Sequence, residues 1–194
     1  GRACTTKALS GHDLGSSVYV VAIGKAASSM TQGAIEALGE TIQKGLVITK
    51  YGHLHEGLRQ DLRFSCIEAS HPVPDQASLS AGDMLVEFLI SAPVDAQFLF
   101  LISGGASSLV EVLPDGIVLD DLRKVNDWLL GSGLDIRKIN SLRKKLSCIK
   151  GGKLTALLAN RKTLALLISD VPGDDLSAIG SGLLVPDTST ENNS

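Results

Sequence analysis

The chain has 194 residues, a formal net charge of −3, 44% hydrophobic residues and 20% charged residues. That balance suits a globular core, excludes a mainly disordered chain and gives no electrostatic case for nucleic acid as a partner. No apolar run reaches the roughly 18 residues of a membrane-spanning helix, and Cys4, Cys66 and Cys148 match no zinc or CxxC spacing.

Residues 1–17 read as a lead-in without an apolar secretory core. The chain does not begin with Met, which admits a fragment or a processed product. Val18 to Ile23 is a continuous β-prone run, the pattern of a buried parallel strand. Gly24 breaks it, and a helix is expected from Lys25 to Leu38. Residues 44–50 and 62–70 are the next strands, the latter turning Leu62, Phe64 and Cys66 inward. Pro72 and Pro74 force an extended turn, and Asp75 or Ser78 is placed to cap a helix over 79–90. Residues 96–103 form a fourth strand. A helix then carries Leu119, Leu122, Val125 and Leu129 at helical spacing and stops at Gly131 or Gly133.

Residues 134–159 are helical with a break at Gly151 and Gly152, and Ile136, Ile139, Leu142, Leu146 and Ile149 form its expected buried stripe. Residues 163–169 are the fifth strand, followed by a loop rich in Gly and Asp. Residues 188–194 read as a disordered tail. Cys66 and Cys148 are expected to fill core positions, and an odd cysteine count without a framework fits a reducing, cytoplasmic setting. The succession predicts an α/β fold over 18–187: an open, mainly parallel, Rossmann-like sheet with helices on both faces.

Three strand ends carry unusual loops, and ligands of such sheets bind beyond those ends. In "FLFLISGGASS" (98–108) a buried strand runs into a bare polar loop. Gly104 and Gly105 permit close backbone approach, and Ser107 and Ser108 offer hydroxyls. A tight turn and an anion cradle both fit this stretch. Lys25 puts a cation at a helix start, where an anion would compensate it; a solvated surface lysine is the alternative. Asn140, Arg143, Ser147 and Lys150 recur at helical spacing and suit a phosphate or carboxylate, or else a plain solvated face.

Asp170, Asp174 and Asp175 surround a Pro-Gly turn and suit either Mg²⁺ or local backbone bonding. His71 and Glu68 are site or turn residues. The GxxxxGK[ST] phosphate loop fails at Gly152-Lys153-Leu154. The GxGxxG dinucleotide pattern fails at Ile136 and at Val185, and no GxSxG elbow is present.

Taken in order, "GKAASSM", "VITKYGH", "EASHPVPD", "LISGGASSL", "INSLRKKLSCIKGGKL" and "LISDVPGDDLSAIGSG" resemble the class II glycerate kinases, the glycerate 2-kinase family that carries a C-terminal MOFRL domain. Some of its members bear the name hydroxypyruvate reductase. The resemblance covers about residues 18–187. It implies a Rossmann-like N-terminal domain, a smaller C-terminal domain and an active site between them. The implied activity is ATP-dependent phosphorylation of D-glycerate to 2-phosphoglycerate with Mg²⁺. A hydroxypyruvate reductase-like enzyme and a non-catalytic ligand-binding fragment are the alternatives.

Residue by residue, the resemblance assigns Lys25 to phosphoryl transfer and matches Arg143 to the family's helix motif, where it is expected to orient the substrate carboxylate. Ser103, Gly104, Gly105, Ser107 and Ser108 match the family's glycine-rich strand-end loop, and Ala106 is counted with them as a candidate binding position. Asn140, Ser147 and Lys150 match its binding helix, and Asp170 and Asp174 its metal loop. Two departures stand out. Leu183 follows Gly182 where the family reads Pro, and the chain stops soon after Asp187, so the MOFRL-type half is expected to be absent. A homodimer is one expected assembly; neither a membrane nor nucleic acid is an expected partner.

Overall fold

A computed structural model describes residues 1–134, 136–169 and 173–185, without the side chains of Leu130, Ile136, Arg137 and Asn140. Strand β1 (Val18–Ile23) is buried at every position. A parallel strand covered on both faces has no polar side to present, which is why its apolar run is uninterrupted. Strands β2 (Ile42–Lys50), β3 (Phe64–Ala69), β4 (Gln97–Ser103) and β5 (Thr163–Ile168) join it in the order β3-β2-β1-β4-β5, all parallel. The open, parallel α/β architecture expected from the sequence is the one observed.

Side chains alternate across β1 and build two cores. Tyr19, Val21 and Ile23 meet helix α4 (Gln76–Ser91) through Leu85 and Leu89, and a 3₁₀ segment (Lys153–Leu158) through Leu154. Val18, Val20 and Ala22 meet helix α2 (Ala27–Leu38) through Met30 and Ala34. Helices thus cover both faces. Helix α3 (Glu56–Gln60) precedes β3, and a short helix α5 (Ala106–Leu109) follows β4. Helices α6 (Leu119–Gly131) and α7 (Ile136–Lys145) pack on one another within the crossover to β5.

Several expectations need correction. Residues 1–17 hold helix α1 (Arg2–Leu9), whose Thr6 hydroxyl donates to the Gly33 carbonyl of α2 at 3.2 Å. Leu62 precedes β3 and is fully exposed, because the strand begins only at Phe64. Cys66 is half-buried but Cys148 is exposed, so Cys148 fills no core; all three cysteines are free.

The stripe expected through Leu142 and Leu146 does not form. The helix ends at Lys145, Leu142 is exposed, and only Ile139 and Ile149 of its described side chains are buried. The end has a physical cause. The Lys153 ammonium caps the last turn by donating to the carbonyls of Lys144 at 3.0 Å and Ser147 at 2.6 Å. Among the described residues no helix is long and apolar enough to cross a membrane. The tail expected at 188–194 lies outside the described residues.

Helix α4 starts with a reciprocal cap. The Asp75 carboxylate accepts from the Ser78 amide at 3.0 Å, and the Ser78 hydroxyl accepts from the Asp75 amide at 3.1 Å. Burial pushes the Asp75 carboxyl up, but bonds from the Tyr51 hydroxyl and from the amides of Ser78 and Ser70 outweigh it and hold the group below the ordinary range. A depressed folded pKa stabilises the protein above the unfolded value and loses that contribution as pH falls through the folded one. Asp75→Ala is therefore expected to cost about 1 kcal/mol near neutral pH. The gap between the urea midpoints of the two proteins should narrow as pH drops below about 4.

Candidate active site

Strands β1 and β4 are neighbours whose connections leave toward opposite faces of the sheet, so their C-terminal loops part and open a crevice. The loops are sewn together at its base. The Lys25 amide donates to the Gly104 carbonyl at 2.9 Å, and the Ala26 amide to the Ser103 hydroxyl at 3.0 Å. The Gly24 carbonyl accepts the Thr49 hydroxyl at 2.9 Å. Gly24 has φ +129°, and a Cβ there would lie 2.5 Å from the Ser103 carbonyl oxygen. Only glycine fits both the dihedral and the space.

Above this seam Gly105, at φ +90°, separates the side chains of Lys25 and His71. A Cβ on it would lie 3.3 Å from both Lys25 Cγ and His71 Nδ1. His71 Nδ1 is 2.8 Å from the Ser108 hydroxyl. That hydroxyl also donates to the Gly105 carbonyl at 3.2 Å. The Ser107 and Ser181 hydroxyls bond one another, tying the loop to the segment after β5.

Together these residues border a cleft of about 460 Å³ whose far wall is α6 and α7. Arg123 donates to the Pro74 carbonyl at 3.2 Å. Arg143 Nε donates to Asn126 Oδ1 at 2.8 Å, and no carboxylate among the described residues lies within ion-pair reach of it. Burial pushes the Arg143 guanidinium below its usual pKa, the signature of a cation short of solvent. One wall of the cleft is ionic. Glu111 and Lys150 are 2% and 4% exposed and form an ion pair, with the Ser147 hydroxyl donating to the other carboxylate oxygen.

Of the residues singled out from sequence, His71, Gly104, Gly105, Ser107, Ser108, Arg143 and Lys150 line this cleft, and Lys25 stands beside it against Gly105. Ser103 is buried and serves the seam, and the Ala106 methyl packs in the core, so neither offers its side chain to a ligand. Asn140, Arg143, Ser147 and Lys150 do not share one helical face, since α7 stops at Lys145 and a turn carries the last two. The Asn140 side chain and all of Asp170 lie outside the described residues.

Asp174 sits exposed on its loop with φ +52°. Among the described residues no group of three or more potential metal ligands occurs. An exposed carboxylate nonetheless fits Mg²⁺, which is commonly held by one or two carboxylates together with phosphates of the substrate. Sequence reasoning missed Glu111, Arg123 and Asn126. Only Glu111 left a signal, as a lone carboxylate inside the apolar run "LVEVL".

The domain model described as "Domain of unknown function (DUF4147)" matches residues 3–194. A D-glycerate 2-kinase of Thermotoga maritima is 44% identical over 173 residues, covering 89% of this chain and 41% of that protein. A putative hydroxypyruvate reductase of Agrobacterium vitis is 42% identical, covering 88% of this chain and 38% of its own length. The crystal structure of a glycerate kinase from Thermotoga maritima superposes with a TM-score of 0.82 at 42% identity, over 88% of this chain and 40% of that one. The chain thus spans about 40% of the length of these relatives.

The seam at Gly24 yields a sharp expectation. Gly24→Ala should cost roughly 2–4 kcal/mol, combining backbone strain with overpacking. Gly52→Ala, also at positive φ but facing open space, should cost only about 1–2 kcal/mol. Urea unfolding midpoints compare the two.

Proposed function

The chain belongs to the DUF4147 domain family, and from that premise we propose that it forms the Rossmann-like part of a glycerate kinase. The reaction proposed is ATP-dependent phosphorylation of D-glycerate to 2-phosphoglycerate. The observation that carries this reading is Arg143. A partly desolvated guanidinium facing a cleft, held by a neutral amide and with no carboxylate partner among the described residues, is set to receive an anion. The glycerate carboxylate matches that fork in a two-point contact.

Lys25, across Gly105, neutralises charge building on the transferred phosphoryl group. The loop at Gly104–Ser108 brings backbone and hydroxyl donors beside the phosphates. Asp174 and Asp170 would hold Mg²⁺, which when bound offsets phosphate charge. The chain's own contribution is positioning and electrostatics, as phosphoryl transfer demands. A homodimer and a cytoplasmic setting belong to the same proposal.

Relatives named for hydroxypyruvate reduction raise a second activity, which needs a nicotinamide site. At the turn from β1 to α2, Ala26 and Ser29 stand where the second and third glycines of a dinucleotide loop belong. This favours the kinase.

The test is a coupled assay on protein of the relatives' length with this domain in place. The expected result is D-glycerate-dependent ADP release without NAD(P)H consumption. Lys25→Ala and Arg143→Ala should each lower kcat/KM by about 100-fold or more. Near-normal turnover in both variants would overturn the assignment.

A further inference from the structure

The geometry points to Glu111 as a positioning residue that aims the Lys150 ammonium at the anion bound in the cleft, an inference resting on the kinase reading above. Its carboxylate uses both oxygens. One accepts Lys150 Nζ; the other accepts the Ser147 hydroxyl and, at 3.1 Å, the Val112 amide. The Ser147 oxygen in turn accepts the amides of Ile149 at 3.3 Å and Lys150 at 3.2 Å. Glu111 therefore fixes both the head of Lys150 and the turn from which it grows.

The mount of this carboxylate is rigid and belongs to another element. The Glu111 amide donates to the Ser78 carbonyl of α4 at 3.0 Å. Its own carbonyl lies so close to α4 that a Cβ on Gly82 would come within 2.0 Å of it. The Val112 carbonyl accepts the Cys148 amide at 2.8 Å, clamping the two segments side by side.

Stability alone does not account for this arrangement. A buried ion pair pays heavily in lost hydration, and apolar residues of similar volume commonly serve as well or better. A lysine ammonium has three donors. Among the described residues Lys150 Nζ has one hydrogen-bond partner, Glu111, and both residues line the cleft. A flexible four-carbon stem would otherwise let that charge wander. Glu111 holds it at one point on the wall of the cleft that Arg143 also lines.

The experiment measures affinity of protein of the relatives' length, with this domain in place, for D-glycerate and for inorganic phosphate by calorimetry, with thermal unfolding in parallel. Glu111→Asp keeps the charge pair but withdraws the carboxylate by one methylene. It should bind at least one probe about 10-fold more weakly while melting close to the parent. The neutral pair Glu111→Gln with Lys150→Met avoids an unpaired buried charge and should fold. It should lose the same probe's binding at least as severely. Parent-like affinity in Glu111→Asp or in the neutral pair, with Arg143→Ala weakened, would overturn the role of Glu111 and leave the kinase reading standing. Unchanged affinity in Arg143→Ala, or no binding of either probe by the parent, would overturn the cleft reading itself.

Discussion

The contact on which the rest depends is the meeting of Gly24 with Ser103. Two parallel strands end side by side and their chains must part, yet the loops stay joined through the Lys25 amide and the Gly104 carbonyl. Any side chain at position 24 would occupy the space of the Ser103 carbonyl. Because that space is closed, Lys25 emerges directly over Gly105. Because Gly105 has no side chain either, His71 approaches from the other side. Two absent side chains thus determine where Lys25 and His71 stand.

Among the described residues, two of the cleft's cations differ in partnership: Lys150 has a carboxylate and Arg143 a neutral amide. Lys150 is neutralised by Glu111 inside the protein, so its place is fixed. Arg143 is oriented by the neutral Asn126 amide, so its direction is fixed but its charge is not cancelled. Surface pairs such as Lys124–Asp120 lie in solvent and contribute little either way. The electrostatic character of the site comes from the few ions that water cannot screen.

The sheet was legible because parallel strands are covered on both faces and leave continuous apolar runs such as Val18–Ile23 and Phe98–Ile102. The loops at their ends were legible because ligand-facing turns favour small residues, and the order of motifs carried the family. Helix α1 was not legible: "RACTTKAL" has only Thr5 and Leu9 buried, too few to mark a face. The extent of α7 was misjudged because its stop is a tertiary event, a lysine from beyond the turn capping its carbonyls. Glu111 was overlooked since its partners, Lys150 and Ser147, lie far along the chain. A short-range pattern cannot display such pairing.

Every wall of the cleft except the His71 turn is drawn from the single crossover between Ser103 and Thr163, plus the segment after β5. That crossover returns to lie beside the strand it left. Its closure entropy must be met before β5 docks and repays it. In kinetic terms the cleft is expected to form late in folding. The β1–β2–β3 half, with shorter connections, can assemble first, and the cleft matures only when β5 completes the edge of the sheet. A chain emerging from the ribosome would therefore hold a nearly complete sheet for some time before it held a pocket.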